Sequence, residues 1–324
     1  MTGYDEIVGH ERVKGVLRRA VQNDRVHHAY LFSGPEGVGK TPTALAFAAA
    51  LNCTDLSGGD ACGRCASCRK TRDGNHPDLW IVEPEKSMIK IDQIRDLQHR
   101  AQFAPYEGKR KVYLLRSADL MNPNAANALL KTLEEPRDAT VFVLIADNPH
   151  LLPMTVLSRC QRVAFWPLLT QELARELEDR LELEPEQARL VALLSNGSLG
   201  RALGMEIESL LDRRRAVLEI VSALSGAGPT RALGLAEEMI EDDPSELCEI
   251  VKTWYRDQIV WKTTGREDAL VNRDMVQAIQ KEASGAPLPA LFEKVRAIGQ
   301  TQFWLGFSAN RKMALESLAL TLAG

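Results

Sequence analysis

Two groups of residues have types and spacings that could do chemistry. Gly34 through Thr41 fit the phosphate-loop pattern G-x-x-x-x-G-K-[ST], with Gly37 and Gly39 completing the glycine set. Glycines let backbone N–H groups curl around phosphate oxygens, and a following helix N-terminus adds positive potential. Lys40 would reach the β- and γ-phosphates, and Thr41 would hold Mg²⁺. The second group is Cys53, Cys62, Cys65 and Cys68, spaced C-x8-C-x2-C-x2-C. Thiolates at C-x2-C spacing converge on one tetrahedral Zn²⁺, and four of them close its shell, which makes such a site structural. His76 lies near enough to ligate, or it is a turn residue before Pro77; four cysteines already complete the set. Arg64, Arg69, Lys70 and Arg72 surround the cluster, either as a solvated face or as a partner contact.

Two features weaken the phosphate loop as an engine. ATP hydrolysis needs carboxylates at the end of a neighbouring strand to hold Mg²⁺ and polarise water. Residues 111–115 read as that strand, yet Arg116 and Ser117 follow it, and a guanidinium cannot ligate a cation. Asp119 is the nearest carboxylate. Pro42 removes an N–H that would face phosphate, although proline is tolerated in a first helical turn. Weak nucleotide binding with little or no hydrolysis is expected.

These residues need an α/β scaffold. Residues 28–32, 78–82, 111–115, 140–145 and 161–165 read as strands. The runs 11–22, 43–51, 91–103 and 124–133 read as helices, the last stopped by Pro136. Strand and helix in alternation imply a parallel sheet with right-handed crossovers. After Pro167 the periodicity is helical throughout. Residues 171–181, 186–194 and 199–211 suggest a small three-helix unit, and 213–223, 231–240, 245–262, 272–282, 288–300 and 308–322 suggest further helices. The expected division is 1–167, 168–211 and 212–324.

The chain has 324 residues, 45% of them hydrophobic and 26% charged, with a net charge of −4. This is ordinary for a globular protein of two or three domains. No global basic field argues for nucleic acid. The start shows neither a basic n-region nor an apolar h-region, so a cytoplasmic location is expected.

The chain resembles the bacterial replicative clamp loaders, an AAA+ family. The matching stretches are Ile7 to Glu11, His28 to Phe32, the phosphate loop, the inserted cysteine module, Asn75 to Asp78, Ile91 to Arg95, Asn127 to Pro136 and Leu157 to Cys160. Within that family it is most similar to delta-prime subunits rather than to the ATP-hydrolysing motors. The resemblance implies an AAA+ domain with a Cys₄ zinc module, an all-α lid and an all-α C-terminal collar. It also implies motor (tau/gamma) and delta subunits as partners, and the sliding clamp and primer–template DNA through the assembled complex. By resemblance Arg159 is an arginine finger offered in trans to a neighbour's ATP. Val8 flanks an adenine or merely packs, and Arg201 belongs to a second-sensor segment at 197–201. Ala146-Asp147-Asn148 stands where the motors carry a strand-end threonine sensor. Residues 309–316 resemble the collar helix. Two other readings stay open: an active motor in which Asp119 replaces the missing carboxylates, and a zinc-containing nucleic-acid-binding protein.

Overall fold

The computed structural model describes residues 3–137, 139–238, 244–306 and 310–324. The chain divides into two compact units, 1–183 with 195–203, and 184–194 with 204–324.

The first unit is built on a five-stranded parallel sheet. Its strands are β1 (Ala29–Ser33), β2 (Leu79–Val82), β3 (Lys111–Leu115), β4 (Thr140–Ala146) and β5 (Gln161–Ala164), in the order β2-β3-β4-β1-β5. The central strands are almost continuously apolar because both faces are covered. Period-two alternation splits them between two cores. Tyr30, Phe32, Val143 and Ile145 pack against α1 (Glu11–Gln22) and α2 (Lys40–Asn52) through Leu17, Ala44 and Phe47. Leu31, Tyr113, Phe142 and Leu144 face the opposite side. There they meet Ile94, Leu129, Leu133 and Val156 of α4 (Ile91–Ala101), α5 (Pro123–Glu134) and α6 (Met154–Leu157). α3 (Ala66–Arg72) lies in the cysteine segment. α7 (Thr170–Leu181) and α9 (Leu199–Leu203) complete the unit.

The second unit is helical: α8 (Pro185–Leu194), α10 (Ile207–Leu224), α11 (Pro229–Glu238), α12 (Pro244–Thr264), α13 (Val276–Gly285), α14 (Leu288–Gly306) and α15 (Arg311–Ala323). α12 is its centre, packing on α10, α13 and α14. Trp254 is fully buried and donates its indole N–H to Glu282 at 3.1 Å. Buried Asp257 accepts from the backbone N–H groups of Val271 and Asn272, and the Asn272 side-chain Oδ1 accepts from Arg214 Nη2 at 2.7 Å. Cys248 is buried as expected for core, whereas Trp261 is only partly covered.

The sheet and most helices lie where periodicity puts them. One expectation fails. Residues 199–211 and 213–223 are not two helices with a break at Asp212. The chain breaks at 204–206, and α10 runs unbroken through 211 and 212. Leu210, Val217, Leu218, Val221 and Leu224 form one buried stripe along it, so the charged run 212–215 lies within a continuous helix. Of the expected helix 231–240, residues 239 and 240 lie outside the described residues. So do 308 and 309 of the C-terminal expectations.

Asp78 fixes the connection that leads into β3. It is buried, and its carboxylate accepts from the backbone N–H groups of Tyr106, Glu107 and Gly108 at 2.6, 2.9 and 2.7 Å. Burial alone would raise its pKa; these three donors outweigh that and hold it below the ordinary carboxylate value. The folded pKa is thus depressed, so the contribution to stability is present above the unfolded value of about 3.9 and is lost as pH falls through the folded one. Asp78→Ala is expected to cost about 3 kcal/mol at pH 7, because three amides lose a charged acceptor. Urea unfolding from pH 7 down to pH 3 should show the gap between variant and parent closing.

Candidate functional site

β1 delivers the chain to the loop, and α2 begins at Lys40. Gly39 takes the N-cap position with φ 104°, a left-handed conformation that favours glycine. Each carbonyl from Gly34 to Val38 accepts a hydrogen bond from the protein itself. Lys40 Nζ donates to Gly34 O at 2.7 Å and also to Pro35 O. Ser198 Oγ donates to Glu36 O, and Gly200 N to Gly37 O, both at 2.9 Å. His10 Nε2 contacts Val38 O at 2.7 Å. Burial lowers the His10 pKa, which keeps the ring neutral and makes Nε2–H the donor to that carbonyl. These bonds fix the path of the loop from Gly34 to Val38. The same contacts dock the 197–201 segment: the Arg201 N–H donates to Ser198 Oγ at 3.2 Å, and a Cβ on Gly37 would collide with that hydroxyl.

Lys40 itself is engaged. Its side chain is 4% exposed and forms an ion pair with Asp147 at 2.7 Å. Sheet order explains the meeting. β4 lies beside β1 with Ser33 opposite Ala146, so the residue after β4 stands next to the loop. β3 is one strand farther away, and its end carries no carboxylate. Arg116 pairs with Glu83, and Asp119 accepts the Asn148 N–H at 2.8 Å. One Asp119 oxygen is thus bonded to the backbone at the end of β4, while the other, Oδ1, is buried without a hydrogen-bond partner among the described residues. Ile7 is core, with its carbonyl accepting from Lys14 Nζ at 2.9 Å, while Val8 is half-buried beside it. Thr41 and Pro42 lie in the first turn of α2.

The cysteines converge. The sulfurs of Cys53, Cys62, Cys65 and Cys68 all lie within 4.8 Å of one another, and Cys62 and Cys68 are 4.0 Å apart. Four sulfurs about 2.3 Å from a tetrahedral centre would be about 3.8 Å apart, so the set fits one Zn²⁺. Backbone N–H groups of Cys62, Cys65 and Cys68 point at the sulfurs of Cys53, Cys62 and Cys65. Burial alone would raise the Cys65 pKa, but donors from Thr54 and Cys68 pull it down to about 5, while burial pushes Cys68 up. Cys65 also caps α3, so its sulfur sits at a helix N-terminus.

His76 is not in this set. Its Nδ1 accepts the Asp78 N–H at 3.1 Å, so Nε2 carries the proton and faces Ser67 Oγ at 3.0 Å. The surrounding cations are paired locally: Arg64 with Asp55, Lys70 with Glu107, Arg72 with Asp73, and Arg69 with the Arg64 carbonyl. Asp60 ties the module to the body. It accepts from the Tyr4 N–H at 3.1 Å and from Arg18 Nη2 at 3.0 Å. Nothing in its local sequence separates Asp60 from any other loop aspartate.

Arg159 lies two residues beyond α6 and is one-third exposed. Its Nη2 meets Glu134 Oε1 at 2.5 Å, and Nη1 donates to Thr155 O at 2.8 Å. Cys160 next to it is buried in the core, which pushes its thiol up to about 11. Leu151 and Met154, eight and five residues before it in sequence, are 62% and 72% exposed.

Among the described residues no helix is long and apolar enough to cross a membrane. Residues 9–168 match the family model described as DNA polymerase III, delta subunit, and residues 208–323 match DNA polymerase III, delta subunit, C terminal. The chain is 41% identical over 188 residues to DNA polymerase III subunit delta' of Bacillus subtilis, across 57% of this chain and 56% of that one. It is 44% identical over 180 residues to subunit delta' of Pseudomonas aeruginosa, across 53% of each. Subunit tau of Bacillus subtilis is 34% identical over 207 residues, across 62% of this chain and 37% of that protein. The chain thus spans about half the length of the delta' relatives it matches. Taken together, the two family models and these relatives place the chain in the DNA polymerase III delta-subunit family.

Proposed function

We propose that this chain is a non-motor, delta-prime-like subunit of a replicative clamp loader. It does not turn over ATP at its own phosphate loop, and it lends Arg159 to the ATP site of a neighbouring motor subunit. The observation that carries this reading is the state of Lys40. The lysine that would bind the β- and γ-phosphates is held by Asp147 and by two loop carbonyls. The end of β3 carries the Arg116–Glu83 pair where a Mg²⁺-binding carboxylate would be needed, and Asp119 beyond it has one oxygen on the Asn148 N–H. Pro42 removes one more donor. The loop then serves to hold segment 197–201 in place through Ser198 and Gly200.

Arg159 suits the role of a finger because a guanidinium stays charged and offers forked donors to phosphate. The exposed Leu151 and Met154, before it in sequence, suit a subunit contact. The partners on this reading are tau/gamma-type and delta subunits. The sliding clamp and primer–template DNA are reached through the assembled complex, with the second unit as the collar. The four cysteines would hold one structural Zn²⁺, leaving no open position for catalysis.

Kinetic, binding and metal measurements test this reading. In a reconstituted loader, Arg159→Ala should lower single-turnover hydrolysis at the adjacent site by about 10³-fold while nucleotide binding there persists. An unchanged rate would sink the finger. In the isolated chain, Asp147→Asn frees Lys40 and should tighten binding of a non-hydrolysable ATP analogue about three- to tenfold by calorimetry. Turnover by the parent chain, abolished by Lys40→Ala, would instead restore the motor reading. Elemental analysis of protein purified without chelator should give one zinc per chain. Cys65→Ser should lose it and unfold at lower temperature.

A further inference from the structure

Arg159 is sheathed by its own chain. The Glu134 carboxylate holds Nη2, and Nη1 is shared between the Thr155 carbonyl and, at 3.4 Å, Ser158 Oγ. Glu134 is the last residue of α5. A carboxylate there faces the negative end of the helix dipole, the end that disfavours it, and the pairing with Arg159 offsets that cost. Both backbones are fixed. Leu133, next to Glu134, and Val156, three residues before Arg159, are buried in the same core, and α5 packs on α6. The side-chain ends reach solvent: Arg159 is 33% exposed and Glu134 49%.

We propose that Glu134 is a positioning residue that keeps the Arg159 guanidinium docked on its own subunit, so that a neighbour's nucleotide phosphate must displace the carboxylate before the finger engages. This rests on the reading of Arg159 as a finger. A guanidinium fork can bind one carboxylate or one phosphate on that edge, not both. The terminal phosphate of ATP carries more charge than a carboxylate and wins when present. When hydrolysis products leave, Glu134 takes the finger back. The competition is mild because a half-exposed ion pair is screened by water, so its removal shifts an apparent affinity by about two- to fivefold.

The test uses the reconstituted loader with Glu134→Gln, alone and combined with Arg159→Ala. Glu134→Gln keeps the side-chain shape and removes the charge. It should lower the KM for ATP by about two- to fivefold and leave kcat within about twofold. The KM shift should vanish when Arg159 is absent. A Glu134→Gln loader with kcat lowered as far as in Arg159→Ala would mean that the carboxylate presents the finger rather than sheathing it, and would overturn the proposal. So would an equal KM shift in the Arg159→Ala background. Hydrolysis untouched by Arg159→Ala would remove the finger itself, a different failure from a working finger that ignores Glu134. Equal thermal midpoints of the parent and Glu134→Gln chains exclude a folding origin for the shift.

Discussion

A buried ammonium must have partners, and the arrangement around the phosphate loop follows from that one requirement. Lys40 is almost wholly covered, and leaving it uncompensated would cost several kcal/mol. In a working phosphate loop the compensation comes from nucleotide. Within the protein, Asp147 and the Gly34 and Pro35 carbonyls supply it. Those carbonyls, with Glu36, Gly37 and Val38, each meet a donor from the protein, which fixes the path of the loop. The segment 197–201 is held on the loop by the same bonds. The loop's own carbonyls thus tie it to a stretch far away in sequence.

Sheet order decides which residues reach that lysine. With β4 inserted between β3 and β1, the residue after β4 is the loop's neighbour. Arg116 and Asp119, beyond the end of β3, are one strand removed and meet other groups: Arg116 pairs with Glu83, and one Asp119 oxygen accepts the Asn148 N–H. The same order puts β5 on the far side of β1, and Arg159 emerges on the short link that leads into it. The helix that ends at Glu134 and the helix that precedes Arg159 share one core, which is why two residues 25 apart in sequence come to hold each other.

The cysteine module shows a related division between local and distant causes. Its ligand spacing and the helix that Cys65 caps are local. Its attachment is not: Asp60 joins it to Tyr4 and Arg18 across more than forty residues. The basic residues around it are drawn to nearby acids and a carbonyl, which favours the solvated-face reading over a preformed partner patch.

Much of this was legible in the residues alone. Apolar runs and glycine punctuation located the strands, the phosphate loop and the helical second half, because local periodicity reports burial directly. The cysteine spacing announced a metal-binding geometry, and Arg116 announced that the end of β3 lacks a carboxylate. What periodicity could not resolve was where one helix ends and the next begins in a wholly helical stretch, so 204–206, not 212, is the break. Nor could it reveal which distant groups answer which charges. That Asp147 holds Lys40, that Glu134 holds Arg159 and that Ser198 reaches Glu36 depend on strand order and side-chain reach in three dimensions. The sequence by itself determined the elements and the chemical inventory, since both follow from local spacing. Only the tertiary structure decided the pairings, since a buried charge takes whichever partner the folded backbone brings within hydrogen-bond distance.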